Sequence, residues 1–236
     1  MGLPGIGGHS AQMEFASRLG SSNVLSRFVA ATPEVQGYTT ITGSRIAGRT
    51  VVLRPLTVDD HDEWSACVAR NQDRLRAVAP SLSAFTNLIG DRDAFADRCE
   101  LYELQQQVGL GAMFGVFRDD DLVGEIGAFS AGAIDGSAVV SAWIDEAHAG
   151  DGLTCEAFIL LCGFFFGELG FHRIEAAVLP GNAAVRRVLD KVGVRDEGIA
   201  HNYALVDGKW LDHHRYAITA DEWDERAEQL LSDWTR

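Results

Sequence analysis

The sequence predicts an α/β (α+β) fold on one mixed, mostly antiparallel sheet of about six to seven strands. Three observations predict it. Residues 112–118, 122–130 and 137–145 are consecutive apolar-rich runs, and Asp119-Asp120-Asp121 turns the first into the second. Residues 152–170, GLTCEAFILLCGFFFGELG, are apolar nearly all round a helix, which marks a deeply buried element. That helix separates the third of these strands from HRIEAAVL (172–179), so it crosses between strands. The order strand, helices, three strands, helix, strand, helix, two strands argues against a doubly wound parallel sheet.

The remaining elements follow from their punctuation. RTVVLRPL (49–56) is a strand ended by Pro55. VDDHDEWSACVAR (58–70) is a helix with Asp59 or Asp60 as cap, and NQDRLRAVAP (71–80) a second short helix closed by Pro80. DAFADRCELYELQQQVG (93–109) is a helix stopped by Gly109. NAAVRRVLDKVG (182–193) is a helix capped by Asn182 and stopped by Gly193. IAHNYALVDG (199–208) and DHHRYAIT (212–219) are strands, and DEWDERAEQLLSDW (221–234) is an acidic helix. Residues 1–43, rich in Gly, Ser and Thr, read as a partly mobile N-terminal extension, with a short helix at 10–20, ahead of a domain at 44–236.

Charge and cysteine usage narrow the function classes. A net charge of −14 argues against a large nucleic-acid footprint and suits basic or amine-bearing partners. Cys67, Cys99, Cys155 and Cys162 form no CxxC or zinc spacing, which points to a reducing cytoplasm. MGLPGIGGHS has no base before an apolar run, so no secretory signal is expected. The apolar run at 157–167 is too short to span a bilayer. His213 and His214 would face opposite sides of a strand, so no metal is expected at Asp212-His213-His214.

Residues 145–158, DEAHAGDGLTCEAF, place Gly150 and Gly152 just before the buried helix. Such a turn offers backbone N–H groups to an anion, although the loop carries Asp145, Glu146 and Asp151 and no Lys or Arg. The runs SAWIDEAHAGDGLTCEAF, GELGFHRIEAAVLPGNAAVRRVLDKVGVRDEG and YALVDGKWLDHHRYAIT resemble the GNAT superfamily of N-acetyltransferases. Within it they are similar to ribosomal-protein-alanine N-acetyltransferases of RimJ/RimL type, from about Thr50 to Asp224. The resemblance implies a GNAT fold in which strands 137–145 and 172–179 are parallel neighbours that splay into a V-shaped gap. Acetyl-CoA would enter that gap, with no metal, and its pyrophosphate would lie on loop 149–154. The implied cofactor-binding residues are Trp143, Ile144, Ala149, Gly150, Asp151, Gly152, Leu153, Thr154, Asn182 and Arg187. Ala149 stands where the superfamily usually has Gln or Arg, and Val185 where it often has Ser. Ala149 keeps only its backbone N–H as a donor, and Asp151 is expected to point to water. Of Arg186 and Arg187, one is expected to face solvent.

Acyl transfer to an amine needs a neutral amine, a polarised carbonyl and a protonated leaving thiolate. Glu125, mid-strand between Gly124 and Gly127, is the first candidate base; the alternatives are a solvent-facing carboxylate or one paired with Arg. Asp145 ends its strand and either positions the amine or caps the turn. Tyr203 stands where the family carries Tyr, on a strand expected to border the gap. It either protonates the thiolate or is a core tyrosine. A backbone N–H at Trp143-Ile144 would polarise the carbonyl, as the family implies. Trp64, Phe85 and the 71–91 segment are expected to line the acceptor side.

The expected function is acetyl-CoA-dependent acylation of a primary amine by direct attack. A protein N-terminal α-amine, such as that of a basic ribosomal protein, comes first. Acetylation of a small amine (antibiotic or polyamine) and a non-catalytic acyl-CoA-binding module are the alternatives. No direct nucleic-acid or membrane partner is expected in the cytoplasm, and the extension and family relatives hint at a homodimer.

Overall fold

The computed structural model describes residues 44–78, 88–130, 136–206 and 208–235. The extension at 1–43 with its expected helix, and Phe85, lie outside them. Strands β1 (Ile46–Ala47), β2 (Val52–Arg54), β3 (Gly111–Arg118), β4 (Asp121–Ser130), β5 (Ser137–Ile144), β6 (Arg173–Val178), β7 (Arg195–Val206) and β8 (Lys209–Thr219) form one sheet. Its order is β1-β2-β3-β4-β5-β6-β8-β7, eight strands where the sequence suggested up to seven, because the two-residue β1 carries too little pattern to be read. Neighbours are antiparallel except β5 and β6, which run parallel. The β3–β4 hairpin turns on Asp119 and Asp120, with φ of 52° and 70°, the left-handed pair that a type I′ turn requires.

The parallel pair joins over only three rungs: Ser137↔Arg173, Ala138↔Ile174 and Val139↔Glu175. Beyond them β5 keeps to β4 as far as Gly124↔Ile144, while β6 keeps to β8 as far as Val178↔His214. The two strands therefore part after Val139 and leave the expected gap.

Helix α3 (Leu153–Gly167) crosses from β5 to β6 under one face of the sheet. Its Leu153, Phe158, Ile159, Leu161 and Phe165 are buried against Phe114, Ile126, Ile174 and Ile218 in the main core. Helices α1 (His61–Val78) and α2 (Arg92–Gln107) cover the other face of β3 to β5 through Trp64, Val68, Phe95, Phe117 and Trp143. α4 (Ala183–Lys191), α5 (Ala220–Asp224) and α6 (Ala227–Thr235) complete the chain, and α6 packs on α3.

Four sequence expectations change. Where helices are expected at 58–70 and 71–80, residues His61–Val78 form one continuous helix, because Asn71 turns its side chain inward instead of breaking the chain; Pro80 lies outside the described residues. Asn71 is 1% exposed, and its Nδ2 donates to the Cys67 carbonyl at 2.9 Å. The first turn before α1 is capped by Thr57, whose N–H and hydroxyl donate to Asp60 at 2.7 and 3.0 Å, rather than by either aspartate. The acidic helix at 221–234 is two helices. Arg226 lies at the break and donates to the carbonyls of Gly193 and Val192 at 2.8 and 3.0 Å. Finally, β7 starts at Arg195, ahead of the expected Ile199.

Near the start of α3, the buried Glu156 accepts from the N–H groups of Thr50 and Val51 at 2.7 and 3.3 Å. A Cβ on Gly48 would come within 2.3 Å of the same carboxylate, so this turn needs glycine to approach. Glu156→Ala strands one buried and one part-buried amide, and a loss of about 2–3 kcal/mol in urea unfolding is expected.

Candidate active site

The loop between β5 and α3 is shaped by two left-handed residues. Gly150 has φ 97° and Gly152 φ 83°; a Cβ built on Gly150 meets open space and one on Gly152 only an ordinary contact with Trp234 at 3.6 Å, so glycine is required for its dihedral and not for room. The first helical bond of α3 runs from Glu156 N–H to Gly152 at 3.1 Å. The amides of Gly152, Leu153, Thr154 and Cys155 precede it, at the positive end of the helix. Ala149 differs from expectation: its N–H already donates to Glu146 at 3.0 Å and so is committed to the turn. Asp151 differs too. Its Oδ2 accepts from Arg118 Nη1 at 2.6 Å, so it is paired across the mouth of the loop.

On β5, Asp145 N–H donates to Val123 on β4 at 2.7 Å. Strand alternation then turns the Ile144 N–H toward the gap and the Trp143 N–H toward β4. The Ile144 carbonyl accepts from Arg74 of α1. Trp143 sends its indole into the α1–α2 side, where it meets Glu125.

Glu125 is 2% exposed and accepts three donors. Arg98 Nη2 of α2 lies 2.6 Å from Oε1, and the indoles of Trp64 (α1) and Trp143 (β5) each lie 3.0 Å from Oε2. Burial alone would lower Arg98; the Glu125 charge more than offsets it and holds the guanidinium well above its ordinary value. Both carboxylate oxygens are committed, which is the geometry of an anchor between elements. Asp145 is likewise held. Arg70 Nε lies 2.6 Å from Oδ2, Asn71 Nδ2 2.8 Å and Ala147 N–H 3.2 Å from Oδ1. Burial would raise its carboxyl, but the Arg70 and Asn71 bonds outweigh it and hold it below the usual carboxylate range. It caps the turn and fastens the loop to α1.

Tyr203 lies on β7, and β8 stands between β7 and β6, so its strand does not border the gap. A bulge sets its direction: between the rungs Ala200↔His213 and Ala204↔Leu211, three β7 residues face Asp212 alone. Asp212 holds the bulge through His201 Nδ1 at 2.7 Å and Asn202 N–H at 2.8 Å. The Tyr203 ring lies 5.3 Å from that of His213 and 4.6 Å from the Arg215 guanidinium. These side chains occupy the sheet face opposite α3, as does Glu175, which accepts from Arg173 at 2.8 Å and also from Arg215.

Asn182 caps α4 by accepting from Val185 N–H at 3.2 Å. Arg186 donates to the Tyr216 hydroxyl at 3.3 Å, and Arg187 is exposed. Burial pushes the Cys67 thiol up to about 12 and the Cys99 thiol up to about 11, so neither offers a thiolate nucleophile. Among the described residues no cluster could hold a metal and no helix is long and apolar enough to cross a membrane. Arg98, Arg70, Asn71 and Arg118 escaped the sequence reading. Their partners are 27 to 75 residues away, and no local pattern announces such pairs.

Residues 50–195 match the family of acetyltransferase (GNAT) domains. YjcK of Bacillus subtilis, a probable N-acetyltransferase, is 33% identical over 178 residues, which is 73% of this chain and 96% of that protein. The ribosomal protein uS5-alanine N-acetyltransferase of Escherichia coli is 34% identical over 80 residues, 34% of this chain and 41% of its own length. Mycobacterium smegmatis RimJ, solved in complex with CoA-disulfide, is similar with a TM-score of 0.69 and 27% identity, covering 82% of this chain and 94% of that one.

Arg98→Met leaves the buried Glu125 without its guanidinium, and urea unfolding should show a loss of about 3–5 kcal/mol. Glu125→Gln added to it should recover part of that loss. Equal losses in the single and double variants would contradict the anchor role.

Proposed function

The chain belongs to the GNAT family of acetyltransferases, and from that premise we propose that it transfers an acetyl group from acetyl-CoA to a protein N-terminal α-amine. The observation that carries this reading is the gap after Val139↔Glu175, which opens beside a glycine loop whose amides precede α3. The pyrophosphate would lie on the amides of Gly152, Leu153 and Thr154, with Gly150 and Gly152 giving access. Ala149 and Asp151 shape the loop, and Asn182 and Arg187 would bound the nucleotide from α4.

The amine attacks the thioester carbon directly, and the tetrahedral oxyanion is met by the Ile144 N–H on the gap side of β5. Collapse breaks the C–S bond and releases a thiolate that takes a proton. Tyr203 is our proposed donor of that proton: its strand does not border the gap, but its ring lies over His213 and Arg215 of the intervening β8, on the sheet face opposite α3. Glu125 and Asp145 fix β5 and its loop rather than exchange protons.

An α-amine acceptor suits a site whose two best carboxylates are committed. With a pKa of about 7.7–8.0, on the order of a tenth of it is neutral at pH 7, against about one in a few thousand for a lysine. Preparing the amine costs about 1 kcal/mol in the first case and about 4–5 in the second. A net charge of −14 favours a basic acceptor such as a ribosomal protein in the cytoplasm. A homodimer is part of this reading; Ile199, Leu205 and Trp210, all about half exposed, support it on the β7–β8 arm.

Purified protein incubated with acetyl-CoA and an amine panel tests the acceptor by release of free thiol. Peptides with an open N-terminus should react and their N-terminally blocked, lysine-bearing counterparts should not. Turnover of polyamines or aminoglycosides alone would overturn the acceptor assignment. Tyr203→Phe should keep acetyl-CoA binding and lower kcat by about 10²-fold or more; an unchanged kcat removes Tyr203 from proton transfer.

A further inference from the structure

Loop 145–152 has no Lys or Arg of its own, yet the fold delivers one. Arg118 ends β3, and the β3–β4 hairpin tip meets the loop at the far end of β5 from the three paired rungs. Its Nη1 lies 2.6 Å from Asp151 Oδ2, and both side chains are partly exposed, at 34% and 47%. Asp151 is held between two left-handed glycines, so its partner stands within a side chain's length of the amides that precede α3. A second carboxylate, that of Asp119 in its own turn, lies 3.9 Å from Arg118 Nε.

We propose that Arg118 is a phosphate ligand for the acyl donor. Its guanidinium leaves the Asp151 carboxylate for a phosphate oxygen when the donor enters. The inference rests on the reading that this loop receives acetyl-CoA. A half-exposed ion pair contributes little in water, so it surrenders readily to a ligand of higher charge. The planar guanidinium matches two phosphate oxygens at once. Its position at the mouth of the gap puts it with the phosphates and away from the thioester. The superfamily's usual side-chain donor at the position of Ala149 is thus supplied from another strand.

Calorimetry of the full chain with acetyl-CoA, at low and at physiological salt, tests it. Binding by the unaltered protein establishes the donor reading independently; no binding would sink that reading and this inference together. Asp151→Ala should tighten binding by removing a competitor. In that background Arg118→Ala should weaken binding about tenfold, with a smaller loss at higher salt. If Arg118 only neutralises Asp151, the second substitution is silent and the assignment falls. Asp151→Asn and Arg118→Lys, read the same way, serve if an alanine variant is poorly folded, and Arg118→Lys should retain part of the affinity.

Discussion

One buried carboxylate holds the walls of the gap in place. Glu125 receives a guanidinium from α2, an indole from α1 and an indole from β5, while its own backbone lies in β4. A strand that loses a neighbour also loses half of its hydrogen bonds, and β5 loses one after Val139. Some other contact must then fix its free length. Glu125 does so from the covered face through Trp143. Arg70, Asn71 and Arg74 of α1 do so at the end, through Asp145, Glu146 and Ile144. A buried ion is a costly way to join elements unless every lone pair has a donor. Here the charge is shared between one cation and two neutral donors, which gives direction as well as attraction.

The acidic loop poses the complementary problem. Anion binding does not need cationic side chains on the loop when four amides stand unpaired within the helix start. It does need neighbouring negative charge to be managed. Asp145 turns inward to Arg70, Asp151 outward to Arg118, and Glu156 back to the β1–β2 turn. Of the four carboxylates on the loop and the helix start, these three are matched to donors from other elements, while Glu146 is exposed.

Much of the fold was legible because burial leaves a periodic trace. The nearly all-apolar α3, the alternating β6 and the Gly150-x-Gly152 turn each follow from local pattern. The gap was legible only through likeness to a family, since nothing in the residues at 139 or 175 says that pairing stops there. The roles of the charged residues were not legible. A Glu in an apolar strand has the same sequence signature whether it takes protons or ties helices, and the difference lies in Arg98, 27 residues upstream. Asn71 shows the same limit. It suggested a helix break, and it is buried because Asp145 and Glu146, more than seventy residues on, need its amide. Tyr203 lies on the strand expected for it, but that strand does not border the gap, since sequence order does not reveal that β8 lies inside β7.

The bulge at His201–Tyr203 also decides how the sheet ends. An open edge strand twelve residues long would invite another chain to continue the ladder. Three residues facing one, with Asn202 at φ 48° and Asp212 occupied in holding them, break the regular spacing that a docking strand would need. Arg195, Asp196 and Glu197 add charge along the flank. Polymerisation by strand addition is thereby discouraged, and whatever meets this arm must recognise side chains such as Leu205 and Trp210 instead of backbone.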